Sequence, residues 1–182
     1  THFDLIQLSE GYFHTNPSGI DAYLSIHDEA LRYRKDQSPE SIQIDLDAHL
    51  VIAHSNVSGS TKDAVEQIAT MMKDKKTSKK MADLGHITLN ALEAIQAKDL
   101  KKIGQLMNDA HGLLKEFNVS HPVLDDLVDQ ALNHGALGAK LSGGGLGGIM
   151  IALFESKSGA LTFQETLNQS GYPHVFIKGL AA

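Results

Sequence analysis

Gly135-Ala136-Leu137-Gly138-Ala139-Lys140-Leu141-Ser142-Gly143-Gly144-Gly145-Leu146-Gly147-Gly148 runs straight into Ile149-Met150-Ile151-Ala152-Leu153-Phe154. The reading of the fold turns on this stretch. It holds seven of the chain's 16 glycines and ends in an apolar segment of strand length. Glycine admits positive φ and lets backbone N–H groups come close to a ligand, which suits an anionic phosphate. Lys140 and Ser142 add a point charge and a hydroxyl. Each glycine costs of order 0.5–1 kcal/mol in lost chain entropy, so a dense run needs a reason. The alternative to a phosphate loop is a tight structural turn before the strand. The order, helix then glycines then strand, is not that of a dinucleotide-binding fold, where the strand comes first. No Gly-Lys-Ser/Thr follows the glycines, so the stretch is not a P-loop either.

Working outward, the upstream pattern is helical. Ser60-Thr61 caps a helix to about Lys73, with Val65, Ile68, Ala69 and Met72 on one face. Met81 to Gln96 and Asp99 to Glu116 give two more helices. Val123 to Asn133 gives a fourth, opened by Pro122 in its first turn. Lys73 to Lys80 reads as a solvated helix end or loop. Downstream, Ala160 to Asn168 reads as a helix and His174 to Ile177 as a last strand. Ahead of the helices, His49 to His54 is a continuous apolar run, the pattern of a central strand. Ile42 to Leu46 alternates strictly, the pattern of a half-buried strand. Ala30 to Arg34 alternates as well. Residues 22–26 fit a short helix or a strand, and Leu5 to Phe13 fit the end of an amphipathic helix broken at Asn16-Pro17. Strands and helices alternate after residue 49, which predicts a two-layer α/β or α+β sandwich.

The composition sets the outer bounds. The chain has 182 residues, 42% hydrophobic and 21% charged, with no cysteine and no Trp. This is the composition of a globular protein, and the length suits one domain or slightly more. The absence of cysteine removes disulfides, thiolate metal sites and a cysteine nucleophile. A net charge of −6 does not favour general polyanion binding, so a phosphate site must be local. Lys73, Lys75, Lys76, Lys79 and Lys80 lack interleaved aromatics, and nucleic-acid binding is not expected. No window of 18 apolar residues spans a membrane and no secretory signal opens the chain; the expectation is a cytoplasmic protein. The chain begins Thr1-His2-Phe3-Asp4 without Met, which suggests a processed chain or a fragment.

Two further constellations carry chemistry. Glu10, His14, Asn16, Ser18 and Asp21 bracket a Pro/Gly turn that could bring two carboxylates into one cleft. One carboxylate suits Mg²⁺ and another could orient or deprotonate a hydroxyl; solvated caps are the simpler reading. Val57-Ser58-Gly59-Ser60-Thr61-Lys62 leads from a strand into a helix N-terminus, where free N–H groups and hydroxyls face outward; plain capping is the simpler reading there. The ten histidines form no ligand cluster by spacing and read mostly as surface or core-edge residues.

Taken together, these segments resemble the GHMP kinase superfamily and, within it, the mevalonate kinase family. His14-Thr15-Asn16-Pro17-Ser18-Gly19-Ile20-Asp21 is similar to that family's His-Gly-Asn-Pro-Ser-Gly-Val/Ile-Asp signature, and Ala30-Leu31-Arg32-Tyr33 matches the segment that follows it. Ser60-Thr61-Lys62 resembles the Ser/Asn-Thr-Lys/Arg turn. Lys140-Leu141-Ser142-Gly143-Gly144-Gly145-Leu146-Gly147-Gly148 resembles Lys-Leu-Thr-Gly-Ala-Gly-Gly-Gly-Gly, with Ser142 for Thr, Gly144 for Ala and Leu146 interrupting the glycines.

The resemblance implies a fold and a set of roles. Residues 1–48 would be the tail of an N-terminal lobe. Residues 49–182 would be the C-terminal domain, a ferredoxin-like α+β sandwich. The implied activity is ATP- and Mg²⁺-dependent phosphorylation of the C5 hydroxyl of mevalonate. Asp21 would be the catalytic aspartate and Glu10 the Mg²⁺ ligand. His14, Ser18 and Thr61 would contact substrate. Lys140, Ser142, Gly143, Gly144, Gly145 and Gly147 would lie beside the ATP phosphates. The family's lysine-bearing first motif and its Pro-x-x-x-Gly-Leu-Gly-Ser-Ser phosphate loop do not occur here and would lie upstream, in an N-terminal lobe. A non-catalytic lobe that needs a partner chain, and a GHMP kinase acting on another small-molecule alcohol, stay open as alternatives. So does a homodimer.

Overall fold

The computed structural model describes residues 19–27, 29–35 and 37–181. The chain divides into two compact units, the first ending at Ile44 and the second running from Asp45. In the first unit, α1 (Ile20–Leu24) is followed by β1 (Ala30–Arg32) and β2 (Glu40–Ile42). These two strands pair antiparallel, with Ala30 opposite Ile42 and Arg32 opposite Glu40. The Arg32 guanidinium donates to the Glu40 carboxylate at 3.0 Å across that last pair.

The second unit contains β3 (His49–His54), α2 (Thr61–Met71), α3 (Lys75–Gln96), α4 (Leu100–Glu116), α5 (Pro122–Asn133), β4 (Gly138–Ser142), β5 (Ile149–Phe154), α6 (Lys157–Gln169) and β6 (Val175–Gly179). Its sheet has the order β4-β5-β3-β6, with every neighbouring pair antiparallel. That order, with helices between β3 and β4 and between β5 and β6, is the βαββαβ arrangement of a ferredoxin-like domain. The α+β sandwich is therefore observed.

Local chemistry accounts for the helix starts. Ser60, Asp74, Asp99 and Ser156 each accept an N–H from three residues on, at 3.0–3.2 Å. His121 caps α5 through Nδ1, with Pro122 just inside the helix where its missing N–H costs nothing. One face of the sheet supplies the core. Val51 and Ala53, Met150, Ala152 and Phe154, and Ala139 and Leu141 alternate along their strands and pack against Leu124, Leu127, Val128 and Ala131 of α5 and Ala160, Phe163 and Leu167 of α6. Phe154 and Phe163 pack in a tilted pair at 5.6 Å between ring centres. A second cluster joins Ala64, Phe117 and Val119, with Ile68, Leu113, Leu114 and Leu146 packed on it.

Three sequence expectations change. The segment before Gly143 is not a loop throughout: Gly138–Ser142 is strand β4. Of the two readings of the basic stretch the helix end holds, but the helix starts earlier than Met81: it opens at Lys75, capped by Asp74, and runs 22 residues, with Lys80 paired to Glu116. Residues 43–46 alternate in burial yet are not a strand; pairing stops at Ile42 because β1 is three residues long, and the Leu46 N–H goes instead to the Leu180 carbonyl at 3.0 Å.

Candidate functional site

The glycine loop is the turn of the β4–β5 hairpin, and its conformation depends on its composition. Gly143, Gly145, Gly147 and Gly148 all have positive φ, and Leu146 joins them at 58°. Leu146 breaks the glycine run because its side chain has somewhere to go: it packs on the Ala64, Phe117 and Val119 cluster. Its N–H donates to the Val119 carbonyl at 2.7 Å. The loop is also tied to the segment after β3. The Gly148 N–H donates to Val57 O and the Ser55 N–H to Gly148 O, both at 2.8 Å.

Close approach explains several glycines without any ligand. A Cβ at Gly144 would sit 2.5 Å from Thr61 Oγ1, and one at Gly147 would sit 2.5 Å from Val57 O. A Cβ at Gly145 would collide with the Val119 carbonyl, and one at Gly59 with the Gly145 carbonyl. The tight-turn reading thus accounts for much of the glycine content. It does not account for the donors. Among the described residues, the N–H groups of Gly143, Gly144, Gly145 and Gly147 have no protein acceptor, although Gly145 and Gly147 are buried. Buried N–H groups are rarely left unpaired, so the two at Gly145 and Gly147, with the exposed donors of Gly143 and Gly144 beside them, make a turn suited to receive an acceptor.

The loop meets the N-terminus of α2. Thr61 is the first residue of that helix and lies against Gly144. Ser60 is spent on its cap, accepting from the Asp63 N–H at 3.2 Å, and Lys62 pairs with Glu66 at 3.9 Å. Thr61, rather than its neighbours, is the residue of this turn with a hydroxyl facing the loop. Lys140 and Ser142 precede the loop on β4, two residues apart and so on the same face of the sheet. Lys140 is half-buried, and its ammonium donates to the Leu141 carbonyl at 2.6 Å, with no carboxylate partner among the described residues. Burial pushes its pKa below the ordinary lysine value.

The hairpin turn therefore brings together Thr61, Lys140, Ser142, Gly143, Gly144, Gly145 and Gly147. Asp21 lies in α1, in the other unit. Glu10, His14 and Ser18 fall outside the described residues. Among the described residues no group of three or more His, Cys, Asp or Glu gathers as a metal site.

One set of residues next to the loop was not singled out from sequence. His111 of α4 is 5% exposed, not a surface or core-edge residue. It neighbours β4 together with Asn108. Their signal was a pair of polar residues at i, i+3 on the face of Gly104, nearly opposite Leu106 and Ala110, which by itself reads as the polar side of an amphipathic helix.

Residues 91–173 match the family model described as GHMP kinases C terminal. The chain is 37% identical over 147 residues to mevalonate kinase from Aeropyrum pernix, covering 78% of this chain and 45% of that protein. It is 37% identical over 150 residues to mevalonate kinase from Thermococcus sibiricus, covering 77% and 44%. The structure of L. major mevalonate kinase in complex with R-mevalonate superposes with a TM-score of 0.81 at 30% identity, over 95% of this chain and 56% of that one. The chain thus spans about half the length of the curated relatives it matches. No helix among the described residues is long and apolar enough to cross a membrane. With this topology and this hairpin turn, residues 91–173 match a GHMP kinase C-terminal domain, and the chain is similar over about three quarters of its length to mevalonate kinases.

Proposed function

We propose that the chain is the C-terminal part of a cytoplasmic mevalonate kinase that transfers the γ-phosphoryl group of ATP to the C5 hydroxyl of mevalonate. Residues 1–48 act as the tail of the N-terminal lobe and 49–182 as the C-terminal domain. The observation that carries the reading is the β4–β5 turn: among the described residues, four backbone donors without protein acceptors, preceded on β4 by a lysine ammonium without a carboxylate partner. Phosphoryl transfer asks a protein mainly to position reactants and neutralise phosphate charge, and such a turn supplies both.

In this mechanism the N–H groups of Gly143, Gly144, Gly145 and Gly147 hold phosphate oxygens, with Lys140 and Ser142 adding a charge and a hydroxyl. Thr61, His14 and Ser18 orient mevalonate. Asp21 accepts the C5 hydroxyl proton while the oxygen forms its bond to the γ-phosphorus; the bond to the bridging oxygen breaks and its electron pair leaves with ADP. General-base assistance of this kind contributes roughly 10²–10⁴-fold. Glu10 would be the carboxylate ligand for Mg²⁺, which when bound would neutralise phosphate charge. The shorter span relative to the matched relatives favours a second reading, a lobe that needs an N-terminal partner for turnover.

Titrating ATP into the isotope-labelled chain tests the loop. Saturable amide shifts concentrated on Gly143, Gly144, Gly145 and Gly147 are expected. Shifts confined to other segments would remove the phosphate role of the turn.

A further inference from the structure

Strand β4 is an edge of the sheet, bonded to β5 on one side only. Its outward N–H groups would be orphans, but α4 lies along that edge and supplies side-chain acceptors. The Ala139 N–H donates to Asn108 Oδ1 at 2.9 Å, and the Leu141 N–H donates to His111 Nδ1 at 3.4 Å. Helix and strand come this close because two glycines face each other: a Cβ at Gly104 or at Gly138 would strike the backbone opposite.

An imidazole nitrogen that accepts a hydrogen bond carries no proton, so the proton of neutral His111 is assigned to Nε2. Nε2 lies 3.2 Å from Asp125 Oδ1 but is not aligned for a hydrogen bond. Asp125, on α5, is already held by the Ser120 hydroxyl at 2.5 Å and the Lys115 ammonium at 3.2 Å. The charged groups acting on the ring are therefore Asp125 from α5, Lys115 from its own helix and Lys140 from β4. Burial does most to keep the imidazole neutral, and the two lysines add to it against Asp125.

We propose that His111 is a positioning residue: neutral, it clasps the loop end of β4 through the Leu141 N–H and so sets where Lys140, Ser142 and the glycine turn stand; protonated, it releases them. Protonation turns Nδ1 into a donor facing another donor, and the contact becomes repulsive. Asn108 does not titrate and keeps its hold on Ala139, so the release is confined to the end of the strand nearest the turn. The effect on phosphate binding rests on the reading of the turn given above; the clasp itself does not.

The test is residue-resolved amide exchange on the full chain from pH 8 down to about pH 4.5, expressed as protection against the intrinsic rate, since burial moves His111 protonation below the ordinary histidine range. In the wild type, Leu141 protection should fall about tenfold as pH drops below the ordinary histidine range, because burial defers protonation of His111; this is the loss of one hydrogen bond, while Ala139 changes little. Ala139 thereby controls for global unfolding. In His111→Gln, which offers a non-titrating acceptor, Leu141 protection should stay flat with pH. Imidazole nitrogen shifts at pH 8 should show the Nε2–H form. A flat wild-type profile, a pH dependence that survives in His111→Gln, or an Nδ1–H ring overturns the proposal. ATP affinity measured alongside separates the two ideas: exchange as described with no ATP binding at any pH leaves the clasp standing and removes the phosphate role of the turn.

Discussion

Gly104→Ala should destabilise the chain, although it puts the best helix former into the interior of a helix. On propensity alone the change would stabilise by about 1 kcal/mol. The structure predicts the reverse. The new Cβ would lie 2.5 Å from the Leu137 carbonyl carbon and 2.8 Å from the Leu137 Cβ, whereas ordinary van der Waals contact begins near 3.4 Å. These neighbours are backbone and the root of a side chain, so neither can swing away. Helix α4 must retreat from β4 by roughly 1 Å, an overpacking cost of about 1–3 kcal/mol. That retreat also stretches the Asn108 and His111 bonds to Ala139 and Leu141, now 2.9 and 3.4 Å, at about 1 kcal/mol each. Set against the propensity gain, the net loss is about 2–4 kcal/mol, or a midpoint lower by roughly 5–15 °C for a chain of this size. Gly112→Ala is the internal control. It sits on the same helix with nothing within 4 Å of a built Cβ, and should stabilise by about 0.5–1 kcal/mol. Urea unfolding followed by circular dichroism reads both. If the two variants shift in the same direction, the close packing of α4 on β4 is not what holds that edge.

Other consequences follow from the same contacts. Ser60→Ala removes the α2 cap and should cost about 1 kcal/mol in urea unfolding; an unchanged midpoint would mean that the cap is solvent-replaced. Lys140→Met removes a half-buried ammonium that has no carboxylate partner among the described residues, so stability should hold or rise while ATP affinity drops roughly 10–100-fold by calorimetry; unaltered affinity would take Lys140 out of the site. Folded His111 resists protonation more than the unfolded chain does. The unfolded state therefore binds the extra proton first, and stability should be full above about pH 6.5 and decline below it. His111→Gln should lose that part of the decline in a pH series of thermal melts, and a decline of the same size in both proteins would assign it elsewhere.

Much of this architecture is legible in the sequence because its periods are clean. The apolar run His49–His54 is a strand between two others, and the helices signalled by Ser60, Asp99 and Pro122 begin at those signals, whereas α3 and α6 open at Lys75 and Lys157, earlier than Met81 and Ala160 where their apolar patterns begin. Strand β4 was hidden by composition. Gly138, Lys140 and Ser142 are poor strand formers, and glycine stands at 138 because α4 leaves no room for a Cβ. The alternation of buried Ala139 and Leu141 was present but drowned by the glycines around it. Residues 43–46 show the opposite failure: alternation records which face is buried, not whether a partner strand exists. The site was half legible. The glycine motif and Thr61 pointed to one turn, and they meet there. His111 was not legible, since its role depends on which strand its helix happens to flank.

The most direct measurement is ADP release from a chimera in which the N-terminal half of the Aeropyrum pernix enzyme is fused ahead of this chain. The account predicts mevalonate-dependent turnover with one ADP formed per phosphorylated mevalonate, reduced at least ~10²-fold by Asp21→Asn. A well-folded chimera that binds ATP but phosphorylates a sugar or phosphomevalonate in preference to mevalonate, or that works as fast with Asp21→Asn, would contradict it.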